Sequence, residues 1–307
     1  MTDFEWLDAL IAEKLPQVEY TANEPMSRHT SFRIGGAAKR IAYPSNGSEL
    51  TALLDAAEEC KVRTLVIGNG TNLLVADEGI EALVIDTSRR LIKAELMAGD
   101  DTLIYAEAGV SLAALAVFAE KQGLTGLEFA HGIPGTVGGA VVMNAGAYDG
   151  EMKQVIEGAS VRFAGGEQRF MSGEELDFSY RHSFLSDHPD AVVLYALCRL
   201  KKGDRTAIRE KMDELMARRR ASQPLDKPSA GSTFKRPAGY FAGPLIEKNG
   251  LKGASVGGAQ VSEKHAGFVI NTGGATAADV LTLIKKIQDT VCEKDGVRLE
   301  TEVKIIR

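Results

Sequence analysis

The chain has only three cysteines, Cys60, Cys198 and Cys292, far apart and without a C-x-x-C pair or a histidine at metal spacing. A disulfide framework and a zinc site are both excluded on that pattern, and a reducing compartment is expected. A basic excess is also missing, with 36 Lys+Arg against 42 Asp+Glu and a net charge of −6. Nothing there neutralises a phosphate backbone, so nucleic acid is not an expected partner. No run approaches the roughly 18 consecutive apolar residues that a membrane span needs. The start, MTDFEWLDALIAEKL, carries acids where a signal peptide needs bases. A cytoplasmic protein acting off the membrane is the expectation.

What remains is an ordinary globular composition over 307 residues, 44% hydrophobic and 25% charged, enough for two or three domains. Apolar steps of three and four predict helices over 3–15, from Ser48 as N-cap, from Ser111 to Gly123, over the charged stretch 204–221, and from Thr276 to Gly296. The last opens on a T-x-x-D capping box. Strands are expected at Val62–Ile67, Ala82–Asp86, Thr102–Glu107, Val155–Phe163, Glu167–Phe170, Val192–Leu200 and Arg298–Ile306. A hairpin turn is expected at Ala164–Gly165–Gly166. The fold class is α+β, without internal repeats.

Glycine, 32 in all, gathers in short runs. The first, IGNGTNLLV (67–75), follows a strand, so successive backbone N–H groups from Gly68 to Thr71 can form an anion-binding nest. It is not a dinucleotide fingerprint, since position 73 is leucine and no helix pattern follows. A plain glycine turn fits this run about as well. The second, HGIPGTVGGAVVMNAGAY (131–148), sets Gly132, Gly135, Gly138, Gly139 and Gly146 around Pro134 and Asn144. Without a lysine after the glycines it is no Walker loop. A long flat cofactor lying against bare backbone suits it better.

A third, polar set comprises SYRHSFL (179–185), AGSTFKRP (230–237) and LETEVKI (299–305). Each residue has an ordinary reading: a surface Arg181, a turn Ser232, and Glu300 and Glu302 facing solvent. Ser232 lacks the G-x-S-x-G elbow of a hydrolase. The histidines His182, His188 and His265 do not stand at metal spacing.

In this order and at these separations, HTSFRIGG (29–36), GNGTNLLV (68–75), the glycine run 132–150, SYRHS (179–183), AGSTFKRP (230–237), GGAQVSEKHAGFVIN (257–271) and LETEVKII (299–306) closely resemble the UDP-N-acetylenolpyruvoylglucosamine reductases. The resemblance runs from about Arg28 to the C-terminus. It implies a two-part FAD-binding half of the vanillyl-alcohol-oxidase-like (PCMH) kind, followed by a smaller α+β substrate domain. The segments would be 1–90, with the helical arm, 91–203, and 204–307 for substrate. The chain looks like the shorter type II subgroup. The implied reaction is NADPH-dependent reduction, through FAD, of UDP-N-acetylglucosamine enolpyruvate to UDP-N-acetylmuramate, a step of peptidoglycan precursor synthesis.

Carried over residue by residue, the resemblance makes Ser232 the proton donor to C2 and puts Arg181 and Glu302 at the developing enediolate. Glu302 is preferred to Glu300 because it precedes Val303 in the family's E-V-x-I pattern. FAD would lie against Gly68, Asn69, Gly70, Thr71, Asn72, Leu73, Gly132, Pro134, Gly135, Gly138, Gly139, Asn144, Gly146 and Ala147. Tyr180, Arg181, Gly231 and Lys235 would hold the UDP-sugar. No metal is implied, and a monomer is expected. Arg236 stands where some members have asparagine, which points to different nucleotide contacts in that loop. Two other readings stay open on the sequence: another FAD oxidoreductase of the same fold, and a non-catalytic nucleotide-binding protein.

Overall fold

The computed structural model describes residues 2–307, and its packing divides the chain into two compact units. The first takes Met1–Ala22, Arg40–Asn69 and Ala82–Ala217; the second takes Asn23–Lys39, Gly70–Glu81 and Arg218–Arg307. The borders drawn from sequence at 90/91 and 203/204 both fall inside the first unit. Sequence adjacency suggested consecutive segments, whereas two short N-terminal stretches pack with the C-terminal third.

In the first unit, helix α1 (Asp3–Lys14) opens on Thr2, whose hydroxyl and the Glu5 carboxylate form a reciprocal capping box. It buries Leu7, Leu10 and Ile11. Helix α2 (Gly47–Glu59) is capped by Asn46, which accepts from the Glu49 N–H at 2.9 Å. The expected cap, Ser48, lies inside this helix instead, because Asn46 is extended and its amide oxygen already reaches the first turn. Helix α3 (Leu112–Lys121) is capped by Ser111 as expected. Helix α4 (Val137–Val142) lies within the second glycine run. The charged helix α5 (Arg205–Ser222) turns Ile208, Met212 and Leu215 into this unit's core.

These helices cover a five-stranded antiparallel sheet in the order Gln168–Ser172, Ile156–Arg162, Val192–Arg199, Asp100–Glu107 and Ala94–Met97. The hairpin expected at 164–166 joins its first two strands. A second pairing, Thr64–Ile67 parallel to Leu83–Asp86, ends where the first glycine run begins. Strands at Glu19–Pro25, Ala37–Tyr43 and Ala94–Met97 are additional to those read from sequence. Glu19–Pro25 and Ala94–Met97 bury no residue fully, and in Ala37–Tyr43 Lys39 and Arg40 interrupt the apolar pattern.

The second unit has its own core, in which Phe32, Ile34 and Leu74 pack with Phe234, Val280, Leu283, Ile284 and Ile287. Helix α6 (Ala242–Lys248) contributes Leu245 and Ile246. Helix α7 (Ala277–Asp295) carries the expected Thr276/Asp279 capping box and stops at Gly296, whose φ of 67° suits glycine. The Asp77 carboxylate accepts from Ala277 N–H at 2.8 Å and Ala278 N–H at 3.0 Å, satisfying two orphan donors of α7. A three-stranded meander, Ser255–Val256, Ala259–Val261 and Val269–Asn271, completes this unit with one parallel pair, Lys304–Ile306 on Leu73–Val75.

The single final strand expected over Arg298–Ile306 is divided. Thr301 bridges Phe234, and the regular strand starts only at Lys304. The cause is a change of partner: Glu302 N–H donates to Thr233, and Lys304 N–H donates to Asn72.

Candidate active site

In the first unit the two glycine runs are laced together. A side chain at Gly68 would bring its Cβ within 2.1 Å of Thr136 Oγ1, so the backbone passes there only because the residue is glycine. Next to it, Asn69 Nδ2 donates to the Pro134 carbonyl at 2.7 Å. The second run is itself pinned, since Gly138 N–H donates to Ala108 and Leu112 N–H donates to Gly135. Gly139 is exposed, and a Cβ built on it would meet nothing closer than Thr136 Oγ1 at 3.9 Å. At Gly139 the run therefore presents bare backbone to open space.

Asn144 is fully buried in the same run with φ of 40°. Its Nδ2 donates to Glu151 Oε2 at 3.0 Å and to the Ser179 carbonyl at 2.9 Å, and its Oδ1 accepts from Lys153 N–H at 2.9 Å. That side chain is spent on the protein, so whatever Asn144 offers a cofactor comes from its backbone. Its bond to Ser179 fixes the tight turn 179–182, in which Ser179 and His182 exchange backbone hydrogen bonds. At the turn's tip Arg181 has φ of 55°, unusual for a residue with a side chain. Its Nη2 donates to the Gly146 carbonyl at 3.1 Å, and its guanidinium stands 5.2 Å from the Tyr180 ring centre. Arg181 and Gly146 are thereby brought together, with the half-exposed Tyr180 beside them.

Whether this surface suits a flavin nucleotide can be tested on one atom. His131 Nδ1, at the head of the second run, is buried and has no hydrogen-bond partner among the described residues. A buried polar atom without a partner is costly and calls for a ligand group. Together with the open backbone at Gly139, it fits a long polar cofactor. The sequence reading passed over His131, because a lone histidine beside glycines carries no pattern.

In the second unit Gly70, with φ of 58°, lies so close to the His29 carbonyl that a Cβ would stand 1.9 Å from it. From there Thr71, Asn72 and Leu73 lead into the strand that pairs with Lys304–Ile306. The loop carrying Ser232 is held by Thr233, which is 2% exposed. Thr233 N–H donates to Gly267, its hydroxyl accepts from Val269 N–H at 3.0 Å, and its carbonyl accepts from Glu302 N–H at 2.9 Å. Ser232 and Glu302 are thus neighbours through one buried residue, while Ser232 itself is exposed. Thr233 was not singled out from the sequence, where a threonine in a polar loop gives no signal.

Lys235 N–H donates to the Glu300 carbonyl, and its ammonium lies 3.5 Å from Glu300 Oε2. Glu300 is the outward member of the pair, with three quarters of its side chain exposed. Gly231, at φ of 74°, has open space where a Cβ would stand. His265 Nδ1 accepts from Gly267 N–H at 3.1 Å, and burial pushes the imidazole below its ordinary value. The neutral ring therefore buttresses the carbonyl that holds Thr233. No group of three or more His, Cys, Asp or Glu able to hold a metal occurs among the described residues.

Residues 38–172 match the model described as an FAD binding domain, and residues 223–306 match the C-terminal domain of UDP-N-acetylenolpyruvoylglucosamine reductase. The fold extends to more distant proteins: a glucose dehydrogenase, Phl p 4.0202, aligns with a TM-score of 0.50 at 14% identity, over 66% of this chain and 44% of its own. Fold and matched domains define an FAD-dependent oxidoreductase with the α+β, PCMH-like architecture expected from the sequence. The UDP-N-acetylenolpyruvoylglucosamine reductase of Agathobacter rectalis is 52% identical over 305 residues, covering 96% of each chain. The crystal structure of the Thermus caldophilus reductase aligns with a TM-score of 0.78 at 35% identity, over 95% of this chain and 99% of the other. The chain belongs to the UDP-N-acetylenolpyruvoylglucosamine reductase family.

Proposed function

We propose that the protein reduces the enolpyruvyl group of UDP-N-acetylglucosamine enolpyruvate to the lactyl group of UDP-N-acetylmuramate, with NADPH as the electron source. The observation that carries the residue roles is the Thr233 carbonyl, which ties the Ser232 loop to Glu302. When bound, FAD supplies the relay of hydride from NADPH to the enolpyruvyl C3. Backbone of Gly68 to Leu73, of Gly132 to Gly139 and of Gly146–Ala147 would hold it, with His131 Nδ1 as a polar contact.

Hydride arriving at C3 leaves negative charge on C2, tolerable only when it spreads into the adjoining carboxylate as an enediolate. Arg181 offers a planar fork of donors for those oxygens. Its left-handed backbone and its bond to Gly146 restrict where the guanidinium can point, which is preorganisation. Glu302 assists by orienting a donor or, when protonated, by donating itself. Ser232 then gives its hydroxyl proton to C2 and regains one from solvent, to which it is open. A serine is a weak acid, but an enediolate carbon is basic enough to draw the proton once the two are positioned. Lys235, Gly231 and Tyr180 would hold the rest of the UDP-sugar.

No helix among the described residues is long and apolar enough to cross a membrane. Cys60, Cys198 and Cys292 form no disulfide. We infer a monomer working in the cytoplasm, a compartment that keeps free cysteines reduced.

The deciding measurement is the visible spectrum of the purified protein under anaerobic conditions. NADPH should bleach the flavin bands, and UDP-N-acetylglucosamine enolpyruvate should restore them. A protein that bleaches but recovers with no enolpyruvyl sugar would remove this substrate. A colourless protein that cannot be reconstituted with FAD would remove the whole reading.

A further inference from the structure

Asn72 closes the first glycine run, and from the sequence it reads as a contact for cofactor. Its hydrogen bonds run elsewhere. The side-chain Nδ2 donates to the Glu302 carbonyl at 3.0 Å, and the Asn72 carbonyl accepts from Lys304 N–H at 2.8 Å. Asn72 therefore grips the terminal segment on both sides of Val303, which is 3% exposed and faces the core. On either side of it Glu302 is half-buried and Lys304 exposed. The Glu302 peptide is fixed from the opposite side too, because its N–H donates to Thr233. Both backbone groups of Glu302 are thus satisfied by partners on two different segments, and only side-chain torsions are left to move its carboxyl.

The parallel ladder does not supply this restraint. It pairs Leu73 with Lys304, Leu74 with Ile305 and Val75 with Ile306, and it stops short of Glu302. A smaller residue at 72 would keep the ladder and the Lys304 bond, both made by backbone, and lose only the hold on Glu302. We propose that Asn72 is a positioning residue: its carboxamide fixes the Glu302 peptide and through it the carboxyl aimed at the substrate. The proposal rests on the role given to Glu302 above. It also gives one side-chain N–H of Asn72 to Glu302, where the resemblance had pointed to FAD.

The test uses full-length Asn72→Asp and Asn72→Ser proteins, loaded with FAD. Neither variant can donate to the Glu302 carbonyl with the original geometry, and both retain the backbone ladder. Two sets of data are needed. Hydrogen exchange of the segment 300–304, measured by mass spectrometry, should quicken about tenfold while that of α7 stays unchanged. In stopped flow, reoxidation of the reduced enzyme by the enolpyruvyl sugar should slow about tenfold or more. FAD content and the rate of bleaching by NADPH should stay within about twofold of the parent.

A double-mutant cycle separates positioning from general loosening: in a Glu302→Ala background, Asn72→Asp should slow reoxidation no further. Exchange unchanged in segment 300–304 overturns the proposal, as does an equal loss in both half-reactions or full additivity in the cycle. A parent protein that bleaches with NADPH but never recovers overturns the catalytic role of Glu302 itself. The exchange data would still decide whether Asn72 holds its peptide.

Discussion

At the residue scale, the reaction divides into steps that different side chains govern, and each should fail separately. Ser232→Ala removes only a hydroxyl at an exposed position, so folding and FAD content should be unaffected. NADPH should still bleach the flavin, while reoxidation by substrate should slow by roughly 10²–10⁴-fold, the usual worth of general acid catalysis. Normal turnover by that variant would end the assignment of Ser232. The two terminal glutamates offer a sharper contrast. Glu300 pairs with Lys235 at 3.5 Å on the surface, where such pairs contribute about 0–1 kcal/mol. Glu300→Gln should accordingly leave both half-reactions within about twofold. Glu302→Ala should slow the reoxidation step alone, as measured by stopped-flow absorbance. Equal effects at 300 and 302 would mean that the pattern E-V-x-I does not pick out the working acid. Sequence alone left that choice to resemblance, because residues two apart share a face in any extended strand. The Thr233 and Asn72 bonds supply a physical distinction: they hold the Glu302 backbone at both its N–H and its carbonyl, whereas the Glu300 backbone is held at its carbonyl, by Lys235 N–H.

At the scale of elements, the site depends on loops that helices and strands hold in place. Asn144 joins the second glycine run to the turn bearing Arg181, and replacing it by alanine would leave the Lys153 N–H without its partner and the Ser179 carbonyl with only its bond from His182 N–H. The expected cost is about 1–3 kcal/mol for the part-buried hydrogen bonds lost. A lower urea midpoint together with weakened FAD retention would show it; unchanged retention would separate the turn from the cofactor surface. His265 gives the second unit a pH dependence. Burial lowers its pKa below the ordinary 6.5, and Lys252 adds to the effect while Glu247 opposes it. In the window just below 6.5 the unfolded chain therefore binds more protons than the folded one. The stability linked to His265 is complete above 6.5 and is lost as pH falls through the folded value. Protonation would also turn Nδ1 from acceptor to donor and break its bond with Gly267 N–H. His265→Asn keeps an acceptor near that point and does not titrate. Its melting temperature should fall less than that of the parent between about pH 7.5 and pH 5.5; equal falls would sink the idea. The five longer helices and the hairpin at 164–166 were legible in the sequence because periodicity and capping are local, whereas the short helices α4 and α6 were not, being too brief to show a period. The division of the terminal strand was not, since it arises from two distant acceptors, Thr233 and Asn72, competing for alternate N–H groups.

At the scale of the whole molecule, the sequence shows motifs in order but not which stretches share a core. The C-terminal third reads as a domain of its own, beginning with the charged helix at 204, and its α7 has every local signal of a helix. Yet Phe32, Ile34 and Leu74, all 2% exposed or less, come from stretches far upstream and sit in the same core as α7. Burying three such side chains stabilises by about 1.5–3 kcal/mol each, a sum comparable with the net stability of an average domain. Strand Leu73–Val75 supplies the sole parallel partner recorded for Lys304–Ile306, and Asp77 caps α7. A fragment of residues 204–307 would lose all of these at once. Expressed alone, it should show a collapsed amide spectrum and no cooperative melting, in contrast to the full chain. A fragment that melts cooperatively would mean that the upstream stretches add little, and that the consecutive division drawn from sequence describes the folding units after all. The same dependence gives the glycine run at 70–73 two duties. It lines the proposed cofactor surface and leads directly into Leu74 in the core of the second unit, so damage to its backbone should reach both half-reactions through stability, unlike the selective effect expected of the Asn72 side chain.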